Sequence, residues 1–178
     1  MAKIPLGGIK ILEGRSCLTS FSRSEDRILP GMCQRLSLDQ INVSLLNHLE
    51  GNQERDCVAS FCTDEGNALS AYFLLKPDQG HAVKMQSDAS ILSIFPYNGM
   101  AEIAGAMIRL LACLDMRPYA LASSISAISV VVPSSDVEVL IDGLFDEFEF
   151  PGYRSIVDWY AAYEGRERLL NQIICSYR

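Results

Sequence analysis

The chain has 178 residues, 49% of them hydrophobic, and a formal charge of −7 from 22 acids and 15 bases. That length buries roughly 70% of the extended surface, so folding requires no metal or disulfide, and the composition excludes a disordered chain. An acidic surface repels phosphate backbones, which argues against nucleic acid as a partner.

The N-terminus MAKIPLGG has no long apolar core, and no apolar run is long enough for a bilayer. Neither a signal peptide nor a membrane partner is expected. The cysteines at 17, 33, 57, 62, 113 and 175 match no zinc signature. They read as small buried hydrophobes in a reducing cytoplasm.

In chain order, Ile9, Ile11 and Leu12 suggest an edge strand, and residues 16–21 a stronger one. Leu29, Met32, Cys33 and Leu36 recur at helix spacing, with Pro30 in the first turn, where a missing N–H is tolerated. Residues 41–49 (INVSLLNHL) alternate as a strand that places Ile41, Val43 and Leu45 on one face. A turn and a strand at 56–62 complete a hairpin. Thr63 or Asp64 starts a second helix carrying Ala68, Tyr72 and Leu75. His81, Val83 and Met85 close this half before Asp88.

The same order then repeats. Residues 89–95 are apolar on both faces, the mark of a covered strand. Pro96, Tyr97, Asn98, Gly99, Met100 and Ala101 form the break before a helix striped by Ile103, Met107, Leu110, Leu111 and Leu114. Gly105 costs about 1 kcal/mol of helix propensity there, which close packing against a neighbour would explain. Strands follow at 119–125 and 128–132. Ser135 and Glu138 form a capping box for a helix with Val137, Ile141, Leu144 and Phe148 on its buried face. Residues 155–170 add a helical piece, and 172–177 a last strand.

Matching Leu18 to Leu92, Val43 to Leu121 and Val58 to Ile128 gives separations of 74, 78 and 70 residues. Each half reads strand, helix, strand, strand, helix, strand. The expected fold class is therefore α+β: two ferredoxin-like βαββαβ units, two-layer sandwiches with antiparallel sheets, at 1–88 and 89–178. The uncovered sheet faces and edges call for side-by-side pairing of the units or of two chains, and a homodimer is expected.

Several segments resemble the ACT domain, the small regulatory domain found in tandem behind aspartate kinases. Residues 89–100 look like that family's first strand and glycine-containing loop, and 100–114 like its first helix. Residues 127–132 (AISVVV) with 134–150 look like its closing strand and helix. Ile41-Asn42-Val43-Ser44 is similar to its second-strand start. The likeness covers about 130 residues; the kinase catalytic domain is absent and 153–170 departs from the pattern.

What the resemblance implies is a non-catalytic sensor whose partner is a small-molecule amino acid effector. The effector would lie near Pro96, Tyr97, Asn98, Gly99, Met100 and Ala101 in the second copy. In the first copy the matching positions are Ser24, Asp26, Arg27 and Ile28, with Asn42 and Tyr119 beginning the facing second strands. Helix-start N–H groups suit a carboxylate, and Asn98 or Asp26 an ammonium. The competing reading is an interaction or oligomerisation module with a closed pocket. No cofactor or metal is expected: His48 and His81 lack partners at metal spacing, and no nucleophile–base set is present.

Overall fold

The computed structural model describes residues 3–23, 28–49, 56–76, 82–153 and 155–163. Its strands and helices run β1 (Ile4–Pro5), β2 (Gly8–Arg23), α1 (Ile28–Leu38), β3 (Leu45–Leu49), β4 (Asp56–Asp64), α2 (Glu65–Leu75), β5 (Ala82–Phe95), α3 (Ala101–Cys113), β6 (Ala120–Ser123), β7 (Ile128–Pro133), α4 (Val137–Glu147) and β8 (Phe148–Glu149). Residues 156–163 are helical. A six-stranded antiparallel sheet has the order β3-β4-β2-β5-β7-β6, and a separate parallel pair joins β1 to β8.

Two ferredoxin-like units share that sheet. In the first, residues 15–23 of β2 pair with β4 on one side and with 82–89 of β5 on the other. In the second, residues 89–94 of β5 pair with β7, and β7 with β6. The fourth strand of the second unit comes from the other end of the chain, because Gly8 to Leu12 pair with Phe95 to Ile91. This is the edge strand expected around Ile9 and Ile11. The last strand expected at 172–177 lies outside the described residues.

β2 and β5 therefore each run through both units, and the position 88/89 falls inside one strand. Between the pairs Leu12–Ile91 and Arg15–Ala89, β2 carries Glu13 and Gly14 against the single residue Ser90. Between Arg15–Ala89 and Cys17–Gln86, β5 carries Ser87 and Asp88 against Ser16. Gly14 and Asp88 hold φ of 63° and 54°, the left-handed conformation that such bulges use. Each extra residue inverts the alternation of its strand. Ile9 and Ile11 pack in the core with α3 and α4, while past the bulge it is Leu18 that packs with α1 and α2.

The opposite face carries Leu12, Cys17, Leu45, Cys62, Ala89, Ile91, Ala120 and Val131 in one cluster drawn from both units. The sheet folds at its bulges so that these faces cover each other, a usual device of strands that pass between two packed sheets. The outer strands β3 and β6 come together, and the Asn47 amide donates to Leu121 O at 2.8 Å. The second sheet face, for which pairing of the two units or of two chains was expected, is covered by the two units within the chain.

The first helices of the two units end alike. At α1, Gln40 (φ 55°) follows the helix, Ile41 N donates to Leu36 O at 2.8 Å and Gln40 N to Ser37 O at 3.1 Å. At α3, Asp115 (φ 51°) takes that role, with Met116 N to Leu111 O at 2.9 Å and Asp115 N to Ala112 O at 3.1 Å. Both are Schellman motifs, and in each the residue after the turn packs in the same cluster as the leucine that accepts its bond.

This stop corrects one sequence expectation. Residues 41–44 are not strand, since Ile41 is held by the helix end, and β3 begins only at Leu45. The register then matches Leu45 with Ala120 and Phe61 with Val130 across the repeat, rather than Val43 with Leu121 and Val58 with Ile128. The capping box also differs. Ser134–Asp136 form a 3-10 turn, Asp136 is the N-cap without a side-chain cap, and Ser135 Oγ donates to Asp136 Oδ1 at 2.9 Å.

The closely packed glycine is Gly143 on α4, where an added Cβ would stand 2.7 Å from Leu110 Cδ1 of α3. Gly105 has only Arg109 Nη1 near, at 3.5 Å. The cysteines divide: Cys17 and Cys62 are buried, but Cys33 and Cys113 are exposed. Cys17 and Cys62 face each other across β2 and β4. The Cys62 thiol is pushed up by its hydrogen bond to Cys17 and by burial, so it stays neutral.

Candidate functional site

β5 leaves the sheet at Phe95 through a cis bond to Pro96. Tyr97 N donates to Ser126 O at 3.0 Å, tying the loop to the turn between β6 and β7. Asn98 (φ 52°) and Gly99 (φ 68°) both take left-handed backbone, and Met100 N closes the turn onto Tyr97 O at 3.0 Å. Two successive residues of this kind explain why an Asn-Gly pair stands here. Met100 is the N-cap of α3, and its carbonyl receives Ile103 N at 3.0 Å and Ala104 N at 3.4 Å. The N–H groups of Ala101 and Glu102 are then the ones that an outside acceptor could take.

Pro96, Asn98, Gly99, Met100 and Ala101 are exposed, while Tyr97 is half-buried against the core of the second unit. Glu102 puts a carboxylate in the first turn of α3, so the positive end of that helix already has a negative neighbour.

The other expected site residues lie elsewhere. Tyr119 packs against the cluster between the two sheet faces, and its N–H donates to Val131 O at 2.8 Å. Ser126 lies in the turn before β7 and Val131 five residues further along the chain, within the strand, roughly 16 Å away. Within the chain, Tyr119 is thus at the far end of the unit from the Asn98 loop. Asn42 is exposed and lines a cavity of about 300 Å³ between α1 and the 40–46 segment, with Met32, Leu36, Ile41, Leu46 and Phe61. Ser24, Asp26 and Arg27 lie outside the described residues, and Ile28 opens α1. The cavity was not foreseen as such. Its signal was the run of apolar residues Ile41, Val43 and Leu46 beside a helix too short to cover them.

Among the described residues no group of three or more His, Cys, Asp or Glu could hold a metal ion, and no helix is long and apolar enough to cross a membrane. Near the part-exposed Arg15–Asp64 ion pair, Arg15 Nε, Ser16 Oγ, Thr63 Oγ1 and Gln86 Oε1 are buried without a hydrogen-bond partner. These atoms cluster at the bulges, where irregular backbone withdraws polar groups from water without pairing them all.

No known family profile matches the sequence, and no curated protein matches it. Solved structures do. The regulatory subunit of aspartate kinase from Thermus flavus superposes with a TM-score of 0.72 at 18% identity, covering 82% of this chain and 99% of that one. The ligand-free regulatory subunit from Thermus thermophilus gives 0.69 at 18%, covering 81% and 99%. Aspartate kinase from Synechocystis gives 0.70 at 20%, over 88% of this chain but 29% of the enzyme. The fold is that of the regulatory part of aspartate kinases, as the ACT resemblance implied.

Proposed function

We propose that this chain is a regulatory module that binds a free amino acid and passes the binding state to a partner enzyme, without catalysing a reaction itself. The observation that carries the reading is the likeness to regulatory subunits over nearly their whole length. The aspartokinase III structure from E. coli, similar over 82% of this chain with a TM-score of 0.60 and 15% identity, was solved with lysine and aspartate. That precedent puts amino acids first among effectors.

The effector's carboxylate would take the Ala101 and Glu102 N–H groups at the start of α3. The Asn98 side-chain carbonyl is a fit acceptor for its ammonium. Pro96, Tyr97, Gly99 and Met100 supply the loop backbone. Glu102 competes with the ligand carboxylate, so Glu102→Gln is expected to tighten binding. In the first unit the matching segment is Ser24, Asp26, Arg27 and Ile28, and Asn42 borders the cavity beside α1. Tyr119 could complete a site only with a second molecule, so the homodimer belongs to this proposal. A location in the cytoplasm fits the exposed thiols of Cys33 and Cys113.

One observation favours the second reading, an interaction module. Leu69 and Phe73 are 60% and 62% exposed, four residues apart on α2. A thermal-shift panel of the twenty amino acids separates the two. A ligand at a hundred times its Kd adds about 2.7 kcal/mol and several degrees. Loss of the shift in Asn98→Ala places the effector at the α3 loop, and loss in Asn42→Ala places it at the α1 cavity. No shift for any amino acid at about 10 mM rejects sensing and leaves the interaction module.

A further inference from the structure

Leu29, Met32, Cys33, Leu36, Ser37 and Gln40 recur at three- and four-residue spacing, so they form one stripe along α1 and its closing turn. That stripe is one wall of the cavity of about 300 Å³. The left-handed backbone of Gln40 redirects the chain, and Asn42 and Val43 supply a second wall. Leu46 and Phe61, direct partners across β3 and β4, lie at its base.

Helix α1 covers only part of this base. Phe61 is 1% exposed, but Leu46 is 45% and Val43 41% exposed. In the second unit the place of Leu46 is held by Leu121, the partner of Val130, and Leu121 packs against the core of that unit. One position of the repeat is thus packed over in the second unit and open in the first. The apolar surface within reach of a ligand is that of Val43 and Leu46, so binding does not require the buried Phe61 ring. Ser37, Gln40 and Asn42 are exposed and bring a hydroxyl and two amides to the rim.

We infer that this cavity binds a free amino acid with an aliphatic side chain, the hydrocarbon laid against Val43 and Leu46 and the ammonium and carboxylate held by the Ser37, Gln40 and Asn42 side chains at the rim. The inference rests on the amino-acid sensing proposed above and names the ligand class for the first unit. The volume lies at the lower end of the range for small-molecule sites, and it is too small for a docked helix. A lysine side chain is a poorer fit, because its ammonium would give up water against carbon. A side chain of one carbon is poorer too, because it leaves Val43 and Leu46 in water.

L-norleucine and L-lysine share a four-carbon side chain, with an ammonium at the end of lysine alone, so the pair isolates the charge. The full chain is titrated calorimetrically with both and with L-alanine. Norleucine is expected to bind tightest, with lysine and alanine each at least about tenfold weaker. Val43→Asp and Leu46→Asp should each weaken norleucine about tenfold while tightening lysine, an inversion that damage to the fold would not produce. Both side chains are already part-exposed, so these variants are expected to fold. The place of binding is read from two exposed thiols: Cys33 lines the cavity, and Cys113 ends α3. Saturating norleucine should slow alkylation of Cys33 by N-ethylmaleimide about threefold or more, measured by peptide mass, and leave Cys113 unchanged. Lysine or alanine binding as tightly as norleucine would overturn the inference, as would norleucine binding without protection of Cys33 or without loss in either Asp variant. In those cases amino-acid sensing stands. No heat from any amino acid in the folded chain would overturn both.

Discussion

Phe61 in the first unit and Val130 in the second occupy the same place, each opposite the buried leucine of its own first strand, Leu18 or Leu92. Around Val130 lies a core that α3, α4, both flanking strands, Phe148, Phe150 and Trp159 all help to fill. Among the described residues the cluster around Phe61 is smaller, and a cavity opens at its edge between α1 and the 40–46 segment. Topology and helix ends are repeated, but the size of the described core is not. The second unit has the larger described core, and the first keeps a cavity beside its first helix.

The largest test of that contrast is truncation in both cores. Leu140→Ala, in the second unit, is expected to cost about 4 kcal/mol, and Leu36→Ala, at the rim of the α1 cavity, about 2. Urea unfolding monitored by circular dichroism checks both values. Equal losses would mean that the two interiors are equally well packed and the contrast is only one of size.

A smaller effect separates the two helix glycines. Gly143→Leu forces side-chain atoms into Leu110 and should lose about 1–3 kcal/mol. Gly105→Ala meets only the Arg109 side chain and should gain about 0.5–1 kcal/mol through helix propensity. A loss at Gly105 together with a drop in mass by sedimentation would show that α3 packs there against a second molecule.

The smallest effect tests the equivalence of the helix ends. Gln40→Gly and Asp115→Gly each relieve a left-handed backbone and should each raise stability by about 0.5–1 kcal/mol. A gain at one site alone, seen in thermal melts, would break the parallel between the two stops.

The repeat and the fold class were legible because amphipathic periods survive divergence. The stripe of Ile103, Met107 and Leu111 and that of Val137, Ile141 and Leu144 are buried as expected. The two bulges were not legible. Glu13-Gly14 falls between two expected strands and Ser87-Asp88 at the expected boundary of the halves, yet each carries one extra residue inside a continuous strand. Nothing local in a sequence says whether a left-handed residue ends a strand or bends it. The strand swap at residues 8–12 was hidden for the same reason, because pairing over about eighty residues leaves no periodic mark. Of the expected site, the Asn98-Gly99 turn could be read from its residue types, whereas the separation of Tyr119 from it depends on which end of β6 meets the loop.

The central claim is amino-acid binding, and calorimetric titration tests it most directly. The full chain is titrated with each amino acid in turn, lysine, threonine and methionine first. Saturable heat from at least one, with Kd below about 1 mM and a several-fold weaker fit in Asn98→Ala or Asn42→Ala, is the expected result. No saturable heat from any of the twenty, in protein that is folded by circular dichroism, would contradict it.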